Sequence, residues 1–94
     1  MEYKYENVCI FNPNVTLRAY MKFEEKIKNI IGRYEITKIE NLGLRRLAYE
    51  LNHHKMCIYI TTHFKGNNNI VTELEKYFKE NNNILKFITV KVED

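Results

Sequence analysis

The chain switches between two hydrophobic periods in a fixed order, strand-like then helix-like, and it does so twice. Residues 3–11 are rich in Tyr, Val, Ile and Phe and read as a strand. Asn12-Pro13-Asn14 ends it, because proline lacks the N–H a central ladder needs and asparagine tolerates turn geometry. Leu17, Tyr20, Met21, Ile27, Ile30 and Ile31 then recur at helical spacing, with Asn14 or Thr16 able to cap the start and Gly32 suited to the stop. Glu24 and Lys28 lie one helical turn apart, in the favourable order for a pair on the wet side. Residues 35–51 return to extended character, with Gly43 marking a bulge or bend. Asn52-His53-His54-Lys55 reads as a polar turn before the next strand, residues 56–64. Ile70, Val71, Leu74, Tyr77 and Phe78 form a second helical stripe, capped from Asn67-Asn68-Asn69 and ended by Asn81-Asn82-Asn83. Residues 84–92 supply the last strand, and Glu93-Asp94 closes the chain.

The order βαββαβ predicts an α+β domain of the ferredoxin-like kind, a four-stranded antiparallel sheet with both helices on one face. At 94 residues the chain is a single domain, 1–94. A domain of this size buries only about 60–70% of its unfolded surface, which suffices for one thin core. Right-handed crossovers place the first and third strands in the centre. Both carry apolar residues at successive positions: Val8 and Ile10 alternate with Cys9 and Phe11, and Met56, Ile58 and Ile60 alternate with Cys57 and Tyr59. A sheet face without helices should be polar where it meets water. An aliphatic face marks Val8, Ile10, Ile58 and Ile60 as candidate partner-binding residues. The competing reading is that single apolar residues on an open sheet face are ordinary.

Enzyme chemistry finds no support in the residues. There is no Gly-rich phosphate loop, zinc-metalloprotease helix or nucleophile elbow, and serine is absent. The carboxylates fall mainly beside lysines on the helices, as solvated faces do. No catalytic residue, cofactor or small-molecule substrate is therefore expected. No metal site is expected either, since the adjacent His53 and His54 on an extended turn point to opposite sides. Cys9 and Cys57 lie in apolar runs and read as buried free thiols of a reducing compartment. No stretch of about 18 apolar residues suggests a membrane span. The N-terminus resembles neither a signal nor a transit peptide. The expected location is the cytoplasm, with synthesis inside an organelle fitting equally well.

A net charge of +3 and a pI near 8.8 permit an anionic partner without demanding one. The placement of charge says more. Arg45, Arg46, His53, His54 and Lys55 cluster within residues 45–55, and Glu50 is the only acid among them. Strand alternation puts Arg45, Leu47, Tyr49 and Leu51 on one face and Arg46, Ala48 and Glu50 on the other. Guanidinium groups there could engage phosphates bidentately. Positive charge on a strand edge also blocks unwanted pairing, and from composition alone this solvated-edge reading leads. Base stacking across the sheet, as in the RNA-recognition motif, is rejected. The third strand reads Lys55-Met56-Cys57-Ile58-Tyr59-Ile60 and lacks the glycine and paired aromatics of that motif.

Leu42-Gly43-Leu44-Arg45-Arg46-Leu47-Ala48-Tyr49 resembles the diagnostic Gly-x-basic-polar-Leu-Ala-Tyr segment of the bacterial small-subunit ribosomal protein number six family. Tyr5-Glu6 in the first strand, Asn12-Pro13-Asn14 at its exit and Ile84-Leu85-Lys86 opening the last strand are similar to that family too. Glu50 stands where many members have proline, and Leu51 where isoleucine is usual. The resemblance implies a ribosomal protein without catalytic activity. It would bind the central domain of small-subunit, 16S-type ribosomal RNA as a heterodimer with small-subunit ribosomal protein number eighteen. It also implies Arg45, Arg46 and Tyr49 as RNA or partner contacts, with Lys86 weaker. His53, His54 and Lys55 join the RNA set from the basic cluster. For Tyr49 a competing reading is packing with Leu47 and Leu51 under the helices. The alternative function is a ferredoxin-like, small-molecule-binding regulatory domain that homodimerises through its open sheet face.

Overall fold

A computed structural model describes residues 2–92; the closing Glu93-Asp94 pair lies outside the described residues. The order is β1 (Tyr3–Phe11), α1 (Leu17–Ile31), a 3-10 turn (Arg33–Glu35), β2 (Ile36–Leu51), β3 (His54–Gly66), α2 (Asn68–Glu80) and β4 (Ile84–Val92). The strands form one antiparallel sheet in the order β2-β3-β1-β4. This is the ferredoxin-like βαββαβ arrangement, with β1 and β3 in the centre.

Local chemistry sets the helix ends. Thr16, not Asn14, caps α1: its side chain accepts from the Ala19 N–H at 3.1 Å. Asn14 instead donates its backbone N–H to the Asn12 side chain at 2.9 Å, tightening the turn at Pro13. Gly32 ends the helix at a φ of 100°, where a side chain would be strained. Asn67 caps α2 through the Ile70 N–H at 3.1 Å. Glu24 and Lys28 do pair, at 3.8 Å.

The core lies between the helices and one face of the sheet. Phe23, Ile27 and Ile31 of α1 and Leu74 and Phe78 of α2 are buried against Tyr5, Cys9, Phe11, Ile60 and Phe64. Phe23 meets Phe11 edge to face with ring centroids 4.7 Å apart, and Phe78 meets Phe87 at 5.4 Å. Each such side chain contributes about 1.5–3 kcal/mol by leaving water.

The pairing register decides which residues share a face, because directly opposed residues point to the same side. Tyr5 opposes Phe64, Cys9 opposes Ile60 and Phe11 opposes Ile58, so these six line the helix-covered face. Val8 opposes Thr61 and Ile10 opposes Tyr59 on the open face. This separates the four aliphatic residues grouped together from sequence. Val8 and Ile10 do face away from the helices. Ile60 is 1% exposed in the core and Ile58 packs against it. Neither β3 isoleucine is therefore offered on the open face; alternation alone could not reveal this, since both faces of these strands are apolar.

Candidate functional site

The basic segment lies on a structure of its own. The last pairing of β1 with β3 is Phe11 opposite Ile58, so β3 residues 54–57 and the facing part of β2 continue without a third strand. They form a two-stranded arm extending roughly 13 Å beyond the sheet body.

Three irregularities shape β2 along its length, and two of them lie at and within the arm. Asn41 opposes Ile60 while Gly43 opposes Tyr59, which makes Leu42 the extra residue of a bulge. Gly43 sits at a φ of 82°, and its N–H donates to the Asn41 side chain at 2.7 Å. The bend expected at Gly43 is thus a bulge at the root of the arm. Beyond it, Arg45 opposes Cys57 and Arg46 opposes Met56, which sends the two arginines to opposite faces. The next pair is Leu51 with His54, so residues 47–50 face Lys55 alone and depart from the ladder. Strict alternation thus carries no further than Arg46. At the tip, Asn52 (φ 49°) and His53 (φ 68°) both lie in the left-handed region, the pattern of a two-residue hairpin turn. The turn is therefore two residues rather than four, and His54 and Lys55 belong to β3.

Arg45, Arg46, Tyr49, His53 and Lys55 are all exposed, and His54 is half-buried. Tyr49 is 85% exposed, which excludes packing beneath the helices. Among the described residues neither arginine is held in an ion pair, so both guanidinium groups are available to an anion. Lys86 is separate from the arm. From β4 it opposes Ile10 of β1, and Ile10 opposes Tyr59 of β3, which opposes Gly43 of β2. Three strand spacings, roughly 14 Å, thus separate Lys86 from the arm's root on the open face.

Strand periodicity does not reveal where the open face is aliphatic. Ile10 is only 7% exposed, and Cys57 is fully covered by its neighbours. The solvent-facing aliphatics are Ile88, Val90 and Val92 of edge strand β4, at 49%, 50% and 40% exposure. Ile88 opposes Val8, and Val90 opposes Glu6, which fixes them on the open side. The covered side of β4 carries Phe87, Thr89 and Lys91 instead. The usual sense of alternation, apolar inward, is inverted over the second half of the strand.

A polar layer explains part of the inversion. Asn7 is 1% exposed beneath the helices. Its amide donates to Thr89 Oγ1 at 2.9 Å and to the Ile88 carbonyl at 3.3 Å, and its oxygen accepts from Cys9 Sγ at 3.1 Å. Burial pushes the Cys9 thiol well above its ordinary range, which keeps it protonated and unreactive. Cys9 and Cys57 are both buried and free. Among the described residues no group of three or more His, Cys, Asp or Glu side chains could hold a metal.

The sequence profile of the family described as Ribosomal protein S6 matches residues 4–91. A Helicobacter pylori small ribosomal subunit protein bS6 is 37% identical over 95% of this chain, which spans 64% of that relative's length. The Heliobacterium modesticaldum protein of the same description is 30% identical, with 97% of each chain covered. Among solved structures, the crystal structure of 30S ribosomal protein S6 from Thermotoga maritima superposes with a TM-score of 0.85 at 28% identity, covering 98% of this chain and 89% of that one.

Proposed function

Because this chain belongs to the ribosomal protein S6 family, we propose that it is a structural constituent of the small ribosomal subunit that binds the central domain of small-subunit ribosomal RNA together with small-subunit ribosomal protein number eighteen. Its relatives are ribosomal proteins rather than enzymes. The observation that carries the RNA reading is the pair Arg45 and Arg46, exposed on opposite faces of an arm that stands clear of the sheet body. Two guanidinium groups so placed can reach phosphates on either side of the arm. Lys55 extends the same cationic surface, His53 and His54 add ring nitrogens for hydrogen bonding beside it, and Lys86 adds a weaker contact at the far edge. The protein partner is assigned to the open face, over Val8, Ile10, Ile88, Val90 and Val92. The ribosome of the cytoplasm is the place of action.

The test is RNA binding by the Arg45→Ala, Arg46→Ala double variant over a salt series, with a transcribed central-domain fragment. Loss of two phosphate contacts lowers affinity by about tenfold near physiological salt and reduces the slope of log K against log salt by roughly 2. An unaltered affinity and slope would remove these residues from the interface.

The small-molecule alternative calls for a homodimer and a ligand pocket. The cavity lined by Tyr5, Thr37, His63 and Phe64 holds about 220 Å³, below the roughly 300–1,000 Å³ of small-molecule sites. The larger hollows, about 440 Å³ beside Arg33 and Ile36 and about 520 Å³ along Leu17 and Met21, are shallow depressions open to solvent rather than enclosing sites. Sedimentation of the purified chain separates the readings: a concentration-dependent homodimer favours the alternative, and a monomer favours the ribosomal one.

A further inference from the structure

We propose that Tyr49 is a stacking platform for an unpaired RNA base, set between the phosphate contacts of the arm; this deepens the RNA reading above and rests on it. Tyrosines in paired strands normally lie against a cross-strand neighbour, which shields the ring. Tyr49 has none to lie against. It falls in residues 47–50, the stretch that has slipped out of the ladder between the Arg46–Met56 and Leu51–His54 pairs. Its flanking residues Ala48 and Glu50 are exposed as well, and the ring is 85% exposed. An aromatic ring left bare by a local break in pairing is open on its faces, which is what a base needs for stacking.

Its surroundings point to nucleic acid. Arg45, Arg46, His53 and Lys55 lie on the same two-stranded arm, with Glu50 as the one carboxylate. Phosphate-binding side chains, Arg45, Arg46 and Lys55 among them, around an exposed aromatic ring are the combination that single-stranded nucleic acid recognises. An RNA helix offers its bases poorly to side chains, so the target is a loop, bulge or junction nucleotide splayed from its stack. The sheet face lacks paired aromatics for this purpose; the arm supplies a single ring in their place. The two kinds of contact divide the labour. The arginines supply salt-dependent affinity, and Tyr49 supplies a preference for an unpaired base at one point in the RNA.

The division makes the inference separable from the general RNA reading. Tyr49→Ala, Tyr49→Phe and the Arg45→Ala, Arg46→Ala pair are compared on the transcribed central-domain fragment, with and without small-subunit protein number eighteen. Tyr49→Ala should weaken binding by about tenfold at every salt concentration without changing the slope, because stacking releases no counterions. Tyr49→Phe should bind within about twofold of the unaltered chain, since the ring is kept. Thermal melts of the three variants should match, because all three positions are exposed. Three results would overturn the inference: full affinity in Tyr49→Ala, equal loss in Tyr49→Phe, or an equal loss of Tyr49→Ala affinity for the second protein measured with no RNA present. The last would make Tyr49 a protein contact. Failure of the unaltered chain to bind the fragment at any salt, with or without the second protein, overturns the RNA reading and this inference with it.

Discussion

The two edges of the sheet are built in opposite ways. Strand β2 breaks register with β3 in three places and carries Lys38, Glu40, Arg45 and Arg46 along its length. Strand β4 keeps register with β1 from Lys4 opposite Val92 to Ile10 opposite Lys86 and shifts only at Phe11, and it presents Ile88, Val90 and Val92 outward. Bulges and charge are the ordinary means of keeping an edge from pairing with strangers. The β2 edge has both and suits water and a polyanion. The β4 edge keeps its register over its outer half, and its one charge there, Lys91, lies on the helix-covered side. The open side therefore presents a row of aliphatic residues that is a liability unless something covers it. On the proposed function, the contrast suits nucleic acid to the irregular edge and a protein to the regular one.

The contrast can be broken most forcefully at β4. Ile88→Lys with Val90→Lys should lower affinity for the protein partner by about 100-fold, since buried unpaired charges cost several kcal/mol. The fold should survive, because both side chains are about half exposed. Calorimetric titration with the purified partner reads the first effect and a thermal melt the second. Equal binding by the double variant would show that the regular edge is not the covered one.

At β2 the largest stability effect should come from Gly43→Val, at about 1–3 kcal/mol in urea unfolding. A Cβ at this position would meet no heavy atom within 4 Å, so the cost is that of a β-branched residue at a φ of 82°. Gly43→Asn should cost less, because asparagine visits this region readily. Smallest of all is Lys38→Ala. Its pairing with Glu40 at 3.6 Å is solvent-exposed, and removing it should change stability by less than about 0.5 kcal/mol. A larger loss would mean that charge on this edge does more than repel intruding strands.

Much of the fold can be read from periodicity. The change from period two to helical spacing and back marks each element, and the capping residues Asn67 and Gly32 fall where their chemistry requires. The register is harder. Val8 and Ile60 both sit in apolar runs, and nothing local says that one faces solvent and the other the helices; only the pairing of Cys9 with Ile60 decides it. Strand β4 misleads for a related reason. Thr89 is turned inward to meet Asn7, so the apolar set Ile88, Val90 and Val92 is turned outward, against the rule that greasy residues hide. At the arm, the two arginines and the bend at Gly43 are legible. The four-residue departure at residues 47–50 is not, because it depends on a hairpin turn closing over Asn52 and His53 rather than over four residues.

Asn7 bears on more than the orientation of β4. A strand whose aliphatic residues repeat every second position can slide by two along its neighbour and still present the same face. Ile88, Val90 and Val92 are nearly interchangeable in such a slide. The Asn7 amide is not, because it meets the Thr89 hydroxyl in one alignment only, and two steps either way strands a buried donor among hydrocarbon at a cost of about 1–3 kcal/mol. One buried amide thus acts as the stop on a ratchet. It holds the smoothest strand of the sheet to a single position, and with it the spacing of whatever surface the molecule offers along that edge.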